Sequence, residues 1–223
     1  MKLLSMTKDE IKKDMIALIP IGSVEQHGPH LPMGTDSIIA EEVSKRVEEV
    51  LRDRVVLFPT IYFTCSLEHS GFPYFGVSYM TLFNYLLDLL NKVKEYFRSA
   101  VIINAHGGNS SLLDLVRRQI NFTGNFKVYI FNINQFYKTD LHAGTIESSL
   151  LKFIDPKLVR EERLKGVSYE VKDGVFETIT TAQANPYGII NLDGEVKINA
   201  EVGKEVINHV VNEVVNLINS ITS

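Results

Sequence analysis

Apolar runs of strand length alternate along this chain with longer stretches in which apolar residues recur every three or four positions. That alternation predicts an α/β fold, a mostly parallel sheet covered by helices on both faces. Residues 15–21, 55–63, 100–104 and 126–132 are the predicted strands. Between the first two, residues 37–51 place Ile38, Ile39, Val43, Val47 and Leu51 on one helical face and Glu41, Glu42, Lys45 and Glu48 on the other. Leu82, Leu86, Leu89, Leu90, Val93 and Phe97 form a second stripe, and Leu112, Leu115, Val116 and Ile120 a third. Core packing accounts for each stripe. After Asp155-Pro156 the pattern loosens. Residues 167–181 alternate well enough for one or two strands, with a hairpin turn at Lys172-Asp173-Gly174, and residues 202–221 return to helical spacing.

At 223 residues and 45% hydrophobic content, residues 1–223 are expected to form a single domain with one sizeable core. The net charge of −4 leaves no basic footprint, so a small molecule is the expected partner and nucleic acid is not. Cys65 is the sole cysteine, which excludes an internal disulfide and fits a reducing compartment. No apolar run reaches spanning length and no signal-peptide core opens the chain, so a cytoplasmic protein without a membrane partner is expected.

Candidate chemistry gathers where predicted strands end. The segment Gly22-Ser23-Val24-Glu25-Gln26-His27-Gly28-Pro29-His30-Leu31-Pro32-Met33-Gly34-Thr35-Asp36 follows the first strand. Glycine and proline shape its backbone, while Glu25, His27 and Asp36 supply the nitrogen and oxygen donors that a divalent cation of borderline hardness selects. Glu25 and His27 stand two apart, so in an extended backbone they share a face. Asp36 opens a predicted helix, where it could cap the backbone or bind a cation. Ser66-Leu67-Glu68-His69 follows the second strand, and Asn104-Ala105-His106-Gly107-Gly108-Asn109 follows the third. Ligands of open parallel sheets collect outside the carboxyl ends of the strands, so these segments belong on one rim. In His142-Ala143-Gly144-Thr145-Ile146-Glu147, Glu147 falls in the first turn of a helix, where the dipole favours a carboxylate with or without a metal. His142 has a pKa range suited to moving protons near neutrality. Glu25, His27, Asp36, His106 and Glu147 are too many donors for one open tetrahedral site, but they suit two cations sharing a carboxylate and a hydroxide.

These motifs resemble the creatininase family of metal-dependent amidohydrolases. The likeness rests on residues 22–32 with Thr35-Asp36, on Glu68-His69 with Phe72-Pro73, on residues 104–109, and on His142-Ala143-Gly144 with Glu147-Ser148. It implies a three-layer α/β/α sandwich, hydrolysis of non-peptide C–N bonds at two divalent ions (Zn, Fe(II) or Mn), and a homo-oligomer, often a hexamer. By position, Asp36 would bridge the metals, Glu25 and His106 would hold one, and His27 with a further carboxylate the other. Creatininase places that carboxylate two positions after the histidine matching His106, where this chain has Gly108, and Glu147 is the candidate replacement.

The substrate-side loop also departs from the family, reading Phe72-Pro73-Tyr74-Phe75-Gly76. Glu68, His69, Tyr74, Phe75, Asn109 and Ser110 are therefore the expected substrate contacts, the two aromatics as a stacking wall. The branch that looks most similar is the archaeal-type deformylase acting on a formylamino-pyrimidine ribonucleotide in riboflavin and deazaflavin cofactor synthesis. The helix start at Asn109-Ser110 offers backbone N–H groups to such a phosphate. Creatinine hydrolysis is an alternative. A metal-dependent isomerase or aldolase is another, because the same groups stabilise enediolates. A non-catalytic metal-binding paralogue is a third.

Overall fold

Strand β1 (Ile16–Ile21) is buried along its whole length, as a central strand covered on both faces must be. A computed structural model describes residues 1–137 and 139–222. In it β1 pairs in parallel with β2 (Val55–Leu57) on one side and β3 (Ser99–Asn104) on the other, and β3 pairs in parallel with β4 (Lys127–Asn132). The sheet order is β2-β1-β3-β4. Between these strands run α1 (Thr35–Leu51), α2 (Tyr79–Tyr96) and α3 (Ser110–Phe122), and after them α4 (Thr145–Ile154), α5 (Thr181–Ala184) and α6 (Ala200–Thr222).

The period of two along each strand sorts the core into two layers. Ile16, Leu18, Val101 and Ile103 pack with buried residues of α1, α4 and α6, such as Val43, Leu151 and Val214. Ala17, Ile19, Ala100 and Ile102 pack with α2 and α3 through Leu82, Leu86, Leu113 and Val116. Burying each large aliphatic contributes roughly 1.5–3 kcal/mol, so these two faces hold the sandwich together. The expected three-layer α/β/α architecture is the one observed. Among the described residues, no helix is long and apolar enough to cross a membrane.

Two expectations need correction. The second strand stops at Leu57 rather than running to residue 63. Pro59 has no N–H to give a ladder, and beyond it only Ile61 rejoins the sheet, in an isolated bridge to Ile21. Residues 167–181 contain no named strand, only an isolated bridge between Val175 and Ile179. Here the carbonyl of Gly174 accepts from the N–H groups of Thr178 and Ile179, closing a compact turn in place of a hairpin ladder. The antiparallel pair β5 (Asp140–His142) and β6 (Ile190–Asn191) was not expected, being too short to show a period.

One glycine sets the geometry that matters for function. A Cβ on Gly22 would lie 2.4 Å from the backbone nitrogen of Ser37. The end of β1 therefore abuts the start of α1, which carries Asp36 back over the loop that holds Glu25 and His27.

Candidate metal centre

Three connections at the carboxyl ends of strands deliver the site. The loop after β1 supplies Glu25 and His27, the first turn of α1 supplies Asp36, the loop after β3 supplies His106, and the β5–α4 junction supplies His142 and Glu147. All six are buried. Asp36 makes no cap: the N-cap of α1 is Gly34, which has no side-chain cap bond, and the Asp36 carboxylate turns inward. Its Oδ1 lies 3.0 Å from His27 Nε2, and its Oδ2 lies 3.1 Å from His106 Nδ1 while accepting from Ser23 Oγ at 2.7 Å. The two oxygens of one carboxylate thus face two different imidazoles.

Around Asp36 the donors fall into overlapping groups. Glu25, Asp36 and His106 form one, and His27, Asp36 and Glu147 another, each with ligand atoms within 4.8 Å of one another. A third contains Glu25, His27 and His142. Glu25 Oε1 lies 3.0 Å from His69 Nε2, 3.2 Å from His106 Nδ1 and 3.8 Å from His142 Nδ1. None of these nitrogens meets it in hydrogen-bonding alignment, and both Glu25 oxygens lack a partner. A fully buried carboxylate in that condition is costly unless a cation completes it.

The imidazoles are oriented from behind, as metal-binding histidines are. His27 Nδ1 is 3.1 Å from the Glu25 carbonyl, leaving Nε2 toward Asp36. His106 Nε2 is 3.1 Å from the Cys65 carbonyl, leaving Nδ1 toward Glu25 and Asp36. His142 Nε2 is 2.7 Å from the Gln26 carbonyl, leaving Nδ1 toward Glu25. The Glu25 and Cys65 carbonyls can only accept, so they fix the tautomers of His27 and His106 whose free nitrogens point inward, while His142 Nε2 faces the Gln26 side-chain amide nitrogen at 2.9 Å as well as the Gln26 carbonyl. The donor set, its burial and these outer contacts all fit a pair of divalent ions.

Burial opposes protonation of His27, but Asp36, then Glu147 and Glu25, outweigh it and push the imidazole up to about 10. Burial, reinforced by Asp140 and Asp36 and only partly offset by His27, pushes the Glu147 carboxyl up to about 8. Burial also holds His142 well below the ordinary imidazole range, with His27 and His69 acting the same way. Burial likewise opposes protonation of His106, but Glu25, Asp36 and Glu68 hold its imidazole well above the ordinary range, so the metal-free protein at neutral pH carries protons on His27, His106 and Glu147 that a bound cation must displace. Metal uptake at pH 7 is expected to release about three protons, and apparent affinity to climb with pH from neutrality to at least about pH 10. Calorimetric titrations in buffers of different ionisation enthalpy measure the release; heats that do not vary with buffer would contradict it.

The structure also places the expected substrate contacts. Glu68 and His69 line a cavity of about 680 Å³ over the donor groups, but Tyr74, Phe75, Asn109 and Ser110 do not. Tyr74 bridges Glu25 in a backbone pairing, and Phe75 is 59% exposed. Asn109 is buried, donating through Nδ2 to the Gly22 carbonyl and Asn104 Oδ1, and Ser110 Oγ reaches Asn132 Oδ1. These residues tie loops together. The wall is made instead by Tyr79, Met80 and Phe83 of α2, by Leu112 and Leu115 of α3, and by Leu141 and Phe176.

Several supporting residues were not anticipated. Ser23 and Gln26 lie inside the first motif, where a question about what holds Asp36 and His142 would have found them. Thr181 Oγ1, 3.1 Å from His69 Nδ1, and Phe176 come from the segment expected to be strands, and gave no signal. Asp140 accepts from the N–H groups of Ile146 and Glu147, so it caps α4 and frees Glu147 from that task.

A family model described as creatinine amidohydrolase matches residues 5–218. The chain belongs to the creatininase family. Among curated relatives, a mycofactocin precursor peptide peptidase of Mycolicibacterium smegmatis is 36% identical over 161 residues, covering 67% of this chain and 62% of its own length. The chain thus spans less than two thirds of that relative. A creatinine amidohydrolase of Pseudomonas putida is 29% identical, covering 68% of each chain. The 2-amino-5-formylamino-6-ribosylaminopyrimidin-4(3H)-one 5'-monophosphate deformylase of Methanobrevibacter smithii is 28% identical, covering 62% of this chain and 60% of its own. A solved creatininase superposes with a TM-score of 0.82 at 21% identity, covering 99% of this chain and 97% of its own, which shows the shared fold. Other solved creatininases are described as Mn and Zn-Zn forms.

Proposed function

We propose that this creatininase-family protein is a divalent-metal amidohydrolase that cleaves an amide C–N bond beside a large apolar group. The observation that carries this reading is the Asp36 carboxylate, whose oxygens face two donor groups at the floor of an aromatic and aliphatic cavity. Glu25, Asp36 and His106 would hold one ion, and His27, Asp36 and Glu147 the other. The Mn and Zn-Zn forms of related creatininases support a pair of this kind. When bound, such ions make water nucleophilic near neutrality and polarise a carbonyl.

The chain's own residues supply the rest. His142 is buried with Nε2 at the Gln26 main-chain carbonyl and Nδ1 turned toward Glu25, which places it to carry a proton across the site. It takes that proton from the attacking water and returns it to the departing nitrogen, yielding a carboxylate and an amine. The apolar wall excludes water and seats the substrate's side group.

Substrate class follows from the lining. No described residue lining the cavity is Lys or Arg, so a phosphorylated formylamino-pyrimidine meets no cationic side chain there. The cavity is also large for a single small ring such as creatinine. A peptide-like amide with a bulky side group suits it better, and the relative named as a peptidase supports that choice. Metal-loaded and chelator-stripped protein, incubated with peptide amides, creatinine and N-formyl amines and followed by mass spectrometry, tests the reading. Hydrolysis confined to the metal-loaded sample and strongest for apolar amides is expected; equal turnover after stripping would overturn it. His142→Ala is expected to lower turnover by about 10²–10⁴-fold with metal content unchanged. Loss of metal in that variant would make His142 a ligand instead.

A further inference from the structure

One carboxylate on the cavity wall is left over. Glu68, in the short turn Leu67–His69, lines the cavity yet belongs to none of the three donor groups. Its Oε1 lies 3.2 Å from His106 Nε2, on the opposite side of the ring from Glu25 and Asp36. That nitrogen already has an acceptor in the Cys65 carbonyl at 3.1 Å, so orienting His106 does not require Glu68. Its other oxygen, Oε2, is buried without any hydrogen-bond partner. An acceptor withdrawn from water and left unpaired is destabilising, which points to a donor that arrives with the ligand.

A second feature reserves the same place. A Cβ on Gly108 would stand 1.8 Å from Glu68 Oε1 and 2.6 Å from His106 Nε2. Only glycine leaves room for the carboxylate where it sits. Beside it runs the apolar wall of Tyr79, Met80, Phe83 and Leu112, and no described lining residue brings a compensating Lys or Arg.

We infer that Glu68 is a specificity residue that receives a protonated amine of the substrate. This rests on the amidohydrolase reading for the position of the reacting carbonyl. The His106 ring separates Glu68 from the donor groups, with Glu68 Oε1 3.2 Å from Nε2 and Asp36 Oδ2 3.1 Å from Nδ1, so a carbonyl on the Asp36 side and a cation held by Glu68 lie on opposite sides of one imidazole. An α-ammonium group stands at that remove from an amide carbonyl, and a neighbouring bulky side chain then meets the apolar wall. The preferred substrates are therefore α-amino amides with an apolar side chain.

The test compares two ligands that differ only in that ammonium. L-phenylalanine hydroxamate carries it, 3-phenylpropanohydroxamate lacks it, and both bind metals without needing to be hydrolysed. Their dissociation constants are measured by calorimetry on zinc-loaded protein, wild type and Glu68→Gln. The preference for the ammonium-bearing ligand is expected to be about tenfold to a hundredfold greater in wild type than in the variant. Glu68→Ala, which removes the carboxylate without adding atoms beside His106, is expected to lose the preference in the same way, and it serves if Glu68→Gln does not fold. An unchanged ratio in the variants, or no binding of the ammonium-bearing hydroxamate to wild type at millimolar concentration, overturns the assignment. Failure of the hydrolase reading looks different: no amide is turned over by loaded protein, while the Glu68-dependent preference persists.

Discussion

Asp36→Asn is expected to strip the protein of both metal ions and to lower amide hydrolysis by on the order of 10³-fold or more. Asp36 joins the group that would hold one ion to the group that would hold the other, and its two oxygens point at His27 and His106 from 3.0 and 3.1 Å. Asparagine keeps the shape and one oxygen, but it removes the charge and turns an NH₂ toward either Ser23 Oγ and His106 or His27. Loss of an outer-shell partner of a metal ligand typically costs 10–100-fold in affinity or activity, so loss of a shared ligand should cost more. The protonation of the site changes as well. Burial works against the ionised Asp36, yet His27 and His106 hold it below the usual carboxylate range. Without its charge, the His27 imidazole, which Asp36 pushes up to about 10 against burial, should fall back. Elemental analysis of dialysed protein alongside turnover measures the outcome. A full metal complement with undiminished turnover would remove Asp36 from the centre.

Legibility in the sequence followed the range of the forces involved. The strands β1, β3 and β4 and the helices α1 and α6 could be located because an apolar run or a 3.6-residue stripe is written locally. The donors were legible for a related reason: Glu25, His27 and Asp36 crowd into one loop, and strand-end placement carries His106 to the same rim. What stayed hidden depends on meetings between distant segments. Phe176 has a positive φ of 65° and lies on the cavity wall, within a segment whose alternation suggested a hairpin. The wall residues of α2, Tyr79, Met80 and Phe83, precede or share the apolar stripe and look like ordinary helix surface until the loop bearing Glu68 is placed beside them. Tyr74 and Phe75 misled because aromatic character says nothing about direction; the backbone there pairs with Glu25 and Val24 and leaves Phe75 exposed.

The second large effect is expected at Glu147, which separates a ligand from a helix-terminal carboxylate. Its Oε2 accepts from the Ala143 N–H at 2.6 Å and lies 3.8 Å from His27 Nε2. Ala143 has a left-handed φ of 53°, so this bond braces a strained turn between His142 and α4. Glutamine at 147 can still accept that N–H through its amide oxygen, and Asp140 still caps the helix through the N–H groups of Ile146 and residue 147. In the metal-free protein burial pushes the Glu147 carboxyl up to about 8, so at pH 7 the wild-type group is already mostly neutral. Glu147→Gln should therefore leave the thermal stability of the stripped protein nearly unchanged at that pH. Its effect should appear only when metal is added. One of two ions, the one on the His27 side, is expected to be lost or weakened, with turnover down by about 10²–10³-fold. If the variant instead bound both ions and turned over normally, Glu147 would be a brace for the Ala143 turn and no ligand. If the stripped variant melted well below wild type while its metal uptake stayed intact, the carboxyl would act through the fold alone.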